Sequence, residues 1–124
     1  MGYMSHNAII VTGYRKYGEK RGPVDEARDY ATSLGCQVTE CLESNTNGYV
    51  TFVVIPDGSK EGWDGSDAGD VRREAFLAEV KRRAGMTLVD EDDAWFFDWA
   101  EIQYGNDDGI TRIIAHSDED INSL

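Results

Sequence analysis

The sequence lacks the features that direct a chain into or onto a membrane. No apolar run approaches the roughly 18 residues of a membrane span. The start, MGYMSHNAIIVTGY, has neither the charged region nor the small-residue cleavage site of a signal peptide. The residues after Gly2 are also a poor context for myristoylation. We therefore expect a cytoplasmic protein without a membrane partner.

Cysteine and histidine are scarce, with two of each. Cys36 and Cys41 flank the start of a predicted strand, where two side chains do not readily meet the distance and direction that a disulfide needs. In a cytoplasmic setting we expect two reduced, half-buried thiols. His6 and His116 are distant in sequence and form no metal-ligand spacing with the cysteines, so we predict no metal and no other cofactor.

The common catalytic signatures are absent, since the chain has no G-x-S-x-G, P-loop, H-E-x-x-H or C-x-x-C motif. The aspartates of DGSDAGD (residues 64–70) lie three apart, unlike the alternating ligands and final glutamate of an EF-hand. We interpret them as capping and solvating groups. Carboxylates are so common here that their presence alone indicates no acid–base pair. The sequence therefore favours a protein that is not an enzyme.

Basic residues are few, with 12 lysines and arginines against 24 acids and a net charge of −12. Residues 85–124 contain 11 of the acids and a single base, Arg112. This excess disfavours direct binding to nucleic acid. It favours an acidic face that meets a basic partner, such as a protein that itself binds nucleic acid. The alternative is that the acids only keep the domain soluble.

What is present is an alternation of strand and helix signals. The unbroken β-branched run NAIIVT (residues 7–12) is typical of a central strand that is covered on both faces. A helix follows from Pro23, with Gly35 suited to the position after its end. Its apolar face is formed by Val24, Ala27, Ala31 and Leu34, with Tyr30 beside it.

The rest of the chain predicts three strands, a second helix and a final strand. The elements are a strand at 37–43, a turn at Asn47 and Gly48, a strand at 49–55, a helix at 68–83 capped by Ser66 or Asp67, a strand from near Trp95, a turn at Asp108 and Gly109, and a strand at 110–116. The buried stripe of the second helix is predicted to be Phe76, Leu77, Val80 and Ala84.

The order β-α-β-β-α-β-β indicates an α+β protein with an antiparallel sheet. Its first six elements match the split β-α-β, ferredoxin-like two-layer sandwich, in which two helices cover one face of the sheet. The last strand would be added at an edge, beside the fourth. We expect one domain over residues 1–124, with 117–124 as a frayed tail.

The connection PDGSKEGWDGSDAGD (residues 56–70) is longer than the elements require and is predicted to be a recognition surface. Trp63 offers an apolar face with one donor, and Lys60 is a mobile cation. The candidate binding residues are His6, Lys60, Trp63, Asp64, Asp67 and Arg72. The alternative is that Trp63 folds over the sheet and fixes a long loop. The aspartates of this segment would also repel an anionic ligand.

An aromatic cluster, WFFDW, marks the fourth strand. Because side chains alternate along a strand, Trp95, Phe97 and Trp99 should share one side. The remaining aromatics, Phe96 and Tyr104, would then lie on the helix-free face as a self-association patch or a binding site. We expect a homodimer formed across that face or at the edge of the last two strands.

Three segments, SHNAIIVT, NGYVTFVVIPDGSKEGWDGSDAGD and DWAEIQYGNDDG, resemble a group of small, uncharacterised bacteriophage proteins. The resemblance covers most of the chain in the same order. It implies a phage origin and a protein that acts in the cytoplasm of an infected bacterium. No activity is established for the group, so no residue role transfers.

Two functions follow as hypotheses. The first is a non-enzymatic binding protein that engages a host macromolecule, for counter-defence or host takeover, through an acidic face. The second is a small-ligand, nucleotide-like binder or enzyme with its pocket at the loop of residues 56–70. There Trp63 would stack on a ring, Lys60 and Arg72 would meet negative groups, and His6 would act as acid or base.

Overall fold

The computed structural model describes residues 6–15, 18–45, 47–56, 64–84, 95, 97–106 and 108–117, with the backbone alone described at 64–67. The elements are β1 (His6–Tyr14), α1 (Pro23–Ser33), β2 (Leu42–Glu43), β3 (Tyr49–Val54), α2 (Asp64–Ala84), β4 (Phe97–Tyr104) and β5 (Arg112–His116). The five strands form one open antiparallel sheet in the order β2-β3-β1-β4-β5. The predicted α+β class is confirmed, as is the edge position of the last strand beside the fourth.

Strand β1 lies at the centre of this sheet, between β3 and β4. Ile9 and Val11 are fully buried in the core that the helices cover. Ile10 points to the opposite face and remains 37% exposed. The prediction of a strand covered on both faces is therefore wrong, because the described helices pack on one side only. An unbroken apolar run on such a strand leaves apolar side chains facing outward.

Helix α1 begins and ends where the sequence predicts. Its first residue is Pro23, and the backbone N–H of Gly22 donates to Asp25 Oδ2 at 2.8 Å, which fixes the first turn. Gly35 follows the end of the helix with φ of +88°, a conformation that glycine adopts without the penalty of a Cβ. The buried face consists of Val24, Ala27 and Ala31, as expected.

Helix α2 begins at Asp64, four residues before the predicted start. Ser66 and Asp67 thus lie within its first turn, and the prediction that one of them caps the helix is wrong. Three of the four predicted buried residues, Phe76, Leu77 and Val80, do face the core. Ala84 is exposed because it is the last residue of the helix.

The second predicted strand, 37–43, is much shorter in the structure. Val38 forms an isolated bridge with Val54, whereas Leu42 pairs with Thr51. The chain thus advances four residues from Val38 to Leu42 while β3 advances three, from Val54 to Thr51. An extra residue of this kind interrupts a ladder. Thr39 repairs part of the gap, since its hydroxyl accepts the backbone N–H of Val53 at 2.9 Å.

At the C-terminal side, β4 begins at Phe97 rather than near Trp95, yet Trp95 is 3% exposed. Its indole N–H donates to Glu26 Oε2 at 3.3 Å, and the guanidinium of Arg83 lies 4.5 Å from its ring centroid. Trp95, Phe97 and Trp99 all join the core side, as alternation predicted.

The last strand is shorter than the predicted 110–116, since β5 spans Arg112–His116. The predicted frayed tail is wrong at its first residue. Ser117 donates its backbone N–H to the carbonyl of Trp99 at 3.0 Å, and its hydroxyl accepts the Trp99 N–H at 3.1 Å. The rest of the predicted tail, 118–124, lies outside the described residues.

A buried ion pair joins the two ends of the first loop. Arg15, just after β1, donates to both carboxylate oxygens of Asp25 at 3.0 and 2.6 Å, and to Glu43 at 2.8 Å. Asp25 is 6% exposed. The hydrogen bonds from Arg15 hold the pKa of Asp25 below its ordinary 3.8, against the opposing effect of burial.

We expect Asp25→Asn to lower the free energy of unfolding by about 2 kcal/mol at pH 7, because it removes the buried carboxylate that binds Arg15 and leaves only the exposed Glu43. The native pKa of Asp25 is depressed, so its contribution is complete above about pH 4 and decreases as the pH falls through the native value. Urea unfolding at several pH values measures this difference. An advantage of the wild type that stays constant down to pH 2 would contradict the assignment.

Candidate functional site

The helix-free face of the sheet carries six of the nine large hydrophobic side chains that are exposed among the described residues. Because side chains alternate between the two faces along a strand, the residues next to the buried positions belong to the helix-free face. They are His6, Ala8, Ile10, Thr12 and Tyr14 of β1, Leu42 of β2, Tyr49, Thr51 and Val53 of β3, Asp98, Ala100, Ile102 and Tyr104 of β4, and Ile113 and His116 of β5. Leu42 and Ile113 are 64% and 67% exposed.

Charge is nearly excluded from this face. Asp98 is its one carboxylate among the described residues, in a chain with 24 acids and a net charge of −12. Glu101, three residues later, points to the other side and accepts a hydrogen bond from Asn7 at 3.2 Å. Depletion of charge from an exposed apolar surface is what distinguishes the centre of a protein–protein interface from ordinary surface.

A groove of about 470 Å³ runs along the middle of the face, between β1 and β5. Its apolar lining comes from Ile10, Ala100 and Ile113. Four polar residues also line it: Thr12, Asp98, His116 and Ser117. An apolar floor with a few polar groups suits a side chain of a partner, since the polar groups fix orientation while burial of the apolar ones supplies affinity.

Aromatic pairs occupy both ends of the face. Tyr14 and Tyr49 lie across β1 and β3 with ring centroids 6.3 Å apart, and His6 and Tyr104 lie across β1 and β4 at 5.5 Å. Each tyrosine is at least 39% exposed. Tyrosine offers a broad apolar ring with a polar tip, which is why it is common in binding surfaces.

The aromatic surplus predicted for this face is confirmed at Tyr104, whereas Phe96 lies outside the described residues. Tyr14 and Tyr49 were missed. The signal was available, because the Asn47–Gly48 turn precedes Tyr49 directly and alternation from the buried Val50 puts Tyr49 on the open face. The missing step was the pairing of Tyr14 with Tyr49, which depends on strand register.

Of the six predicted site residues, the structure describes the side chains of His6 and Arg72 only. Lys60 and Trp63 lie outside the described residues, as do the side chains of Asp64 and Asp67 in the first turn of α2. His6 stacks on Tyr104 at the helix-free face. Arg72 lies on α2, which covers the opposite face. His6 and Arg72 therefore cannot serve one site.

Arg72 lines a cleft of about 180 Å³ at the described ends of the predicted loop, with Cys36, Ile55 and Gly69 among its neighbours. Arg72 makes no ion pair with another described residue. Its neighbour Arg73 is buried and bonded to Asp70. The cleft formed by these described residues is smaller than the roughly 300 Å³ at which drug-sized pockets begin.

The two thiols are free and half-buried, as predicted. Burial raises the pKa of Cys36, against the opposing effect of Arg72 and Arg73. Burial, followed by the nearby carboxylate of Asp25, raises the pKa of Cys41 to about 11. Both pKa values are thus raised, so neither cysteine is a thiolate near neutral pH, and burial outweighs the two arginines at Cys36.

The acids of residues 85–124 that the structure describes do not share one surface. Asp98 is on the helix-free face and Glu101 on the opposite one, while Asp108 sits in the β4–β5 turn and is paired with Arg112 at 2.7 Å. The other acids of this segment lie outside the described residues.

Comparisons with known proteins add no family to this chain. No protein-family model matches it, and neither a curated protein nor a solved structure matches it. Within the described ranges, no three histidine, cysteine or acidic side chains come together as a metal-binding group. No described helix is both long and apolar enough to cross a membrane.

The contact between Gly105 and His6 offers a test of how this face is built. Gly105 and Gly109 share one hairpin with φ of +69° and +73°, but an added Cβ would lie 2.5 Å from His6 Cδ2 only at Gly105. We expect Gly109→Ala to cost about 1 kcal/mol for its backbone conformation. Gly105→Ala should cost at least about 1 kcal/mol more, because the His6 ring must move.

Urea unfolding of both variants measures this difference. The double variant His6→Ala with Gly105→Ala is the control, because removing the ring should remove the additional cost. Equal costs for the two glycine variants would show that His6 does not occupy the position described.

Proposed function

We propose that this protein is a non-enzymatic binding domain whose contact surface is the helix-free face of the sheet. The observation that supports it is the segregation of charge: an apolar, tyrosine-containing face with Asp98 as its one described carboxylate, on a chain of net charge −12. The two half-buried thiols have raised pKa values. The described residues therefore support recognition better than catalysis.

The partner is proposed to be a host protein with an apolar patch bordered by basic residues. Burial of the open face would supply most of the affinity, since apolar contacts are worth about 25 cal/mol per Å² removed from water. The overall negative charge would attract the basic border and speed encounter. Nucleic acid is a poor candidate because its phosphates would be repelled. In this proposal the partner contacts the sheet face, and the acids only attract the partner before contact.

We also propose a ferredoxin-like fold and a phage origin for this protein. The element order and the central position of β1 between β3 and β4, all antiparallel, support a ferredoxin-like plan with an added edge strand. The resemblance of SHNAI and PDGSKEGW to phage proteins supports a role in the cytoplasm of an infected bacterium, in counter-defence or host takeover. The fold itself is neutral about activity.

Charge placed on the helix-free face should abolish partner capture. We expect Ile10→Lys and Tyr104→Lys to reduce retention of a bacterial lysate protein by about tenfold or more, as truncation of central interface residues does. Val71→Lys is the matched control, because Val71 is an exposed apolar residue on α2. Quantitative pull-downs with the three variants measure the effect.

The salt dependence of capture distinguishes binding through the apolar face from binding through the acids. Retention through the apolar face should persist at high salt, whereas retention through acids alone is screened. Capture that is lost with salt and unchanged in Ile10→Lys would contradict the proposed surface. Circular dichroism confirms that each variant is folded before capture is scored.

A second candidate function rests on the cleft beside Arg72. We propose that it holds a small anion of phosphate size, because Arg72 has no described ion-pair partner and the volume is about 180 Å³. This retains the binding role predicted for Arg72 and reduces the ligand from a nucleotide to a single anionic group.

Thermal denaturation tests this candidate. Inorganic phosphate at ten times its Kd should raise Tm by about 4 °C, and Arg72→Ala should remove the rise. Potassium chloride of equal ionic strength is required as a control, since screening alone stabilises a protein of this charge. Arg112→Ala, a change at an exposed ion pair remote from the cleft, should keep the phosphate effect. No rise beyond the chloride control would contradict the candidate.

A further inference from the structure

The two edges of the sheet differ in how well they are protected. Strand β2 has two residues, Leu42–Glu43, and the extra residue before it interrupts its ladder. Strand β5 has five residues, and among the described strands it pairs only with β4. Its outer row of backbone N–H and C=O groups is therefore available. Short or bulged edges resist pairing, whereas a longer edge strand is a template for another strand.

The side chains of β5 do not protect this edge. Ile113 and Ile114 are 67% and 46% exposed, and the strand contains no proline, lysine or acid. A register shift against β4 makes Ile114 the extra residue of a bulge. A bulge normally discourages pairing, but this one places a second apolar side chain at the exposed edge. A second strand at this edge would bury Ile114, whereas Ile113 belongs to the helix-free face.

The charge of the strand identifies the occupant. The chain as a whole repels a second copy, but the segment Arg112–His116 has no carboxylate. Its one permanent charge, Arg112, is paired with Asp108 at 2.7 Å. In an antiparallel pair the two copies of Arg112 lie at opposite ends, about 13 Å apart, which exceeds the Debye length of about 8 Å at physiological salt.

We propose that β5 pairs with β5 of a second copy in antiparallel orientation, so that one continuous sheet extends through a two-fold dimer. An isologous contact needs a surface that complements itself, and an isoleucine-bearing strand whose one permanent charge is already paired meets that condition. The helix-free faces of the two copies would then lie side by side. The inference does not depend on the proposed function, because it rests on the outer edge of β5 and on Ile114, neither of which belongs to the helix-free face, although Ile113 and His116 of the same strand do.

Sedimentation at low and high salt tests the dimer. We expect a mass of twice 13.8 kDa at tens of micromolar protein, with tighter association at high salt because repulsion between the acidic copies is screened. Ile114→Lys should weaken association by about tenfold or more, since a lysine on an edge prevents pairing. Val71→Lys is the control and should still dimerise, because Val71 is equally apolar and exposed on α2.

Amide hydrogen exchange identifies the contact within the dimer. Backbone amides of β5 should become more protected as protein concentration rises, and those of β2 should not. A 13.8 kDa species at both salt concentrations would overturn the proposal. A dimer that survives Ile114→Lys but is lost in Ile10→Lys would also overturn it, because that dimer would use the face rather than the edge.

Discussion

The two described helices both pack on one face of the five-stranded sheet, and the main features of this molecule follow from that arrangement. The core lies between α1, α2 and the inner face of the sheet, where Ile9, Val11 and Phe52 are fully buried. The outer face has no described element against it. The central strand β1 carries apolar side chains on both sides, so its outward ones, Ile10 above all, remain partly in water. The exposed surface is thus a consequence of the layer count.

The arrangement of charge matches this division. On the helix side the acids have structural tasks: Asp25 binds Arg15 and the start of α1, and Glu79 binds Arg82 and Arg83, which lowers its pKa to about 2. Asp108 closes the β4–β5 turn by accepting the backbone N–H of Ile110 at 2.9 Å. These described acids stabilise helices and turns, so their charge is already engaged within the fold.

Local chemistry in the sequence predicted the elements well. Pro23, Gly35 and the Asn47–Gly48 turn act within a few residues, so the ends of α1 and the β2–β3 connection could be read directly. The start of α2 and the length of β2 could not. The start of α2 depends on the connection between β3 and α2. The length of β2 depends on one extra residue opposite β3, and strand register is a property of the tertiary structure.

The candidate site was harder to predict for the same reason. The residues that carry the helix-free face are spread over all five strands, and pairs such as Tyr14 with Tyr49 meet only through register. The six residues predicted as a site were chosen largely from one loop, and the face of each strand was not used to group them. Alternation counted from Ile9 and Val50 would have placed His6 and Tyr49 on the open face, away from Arg72.

The net charge of −12 also affects how the exposed apolar face behaves in solution. Apolar patches on a neutral protein promote association and precipitation, whereas like charge keeps copies apart in solution. The repulsion acts at long range and the apolar attraction at contact, so a partner of opposite charge experiences no barrier to the same face. Under the proposed function, the overall negative charge would disfavour random self-contact of the open face, where Asp98 is the one described carboxylate, and would leave that face to a partner or a paired strand whose charges permit close approach.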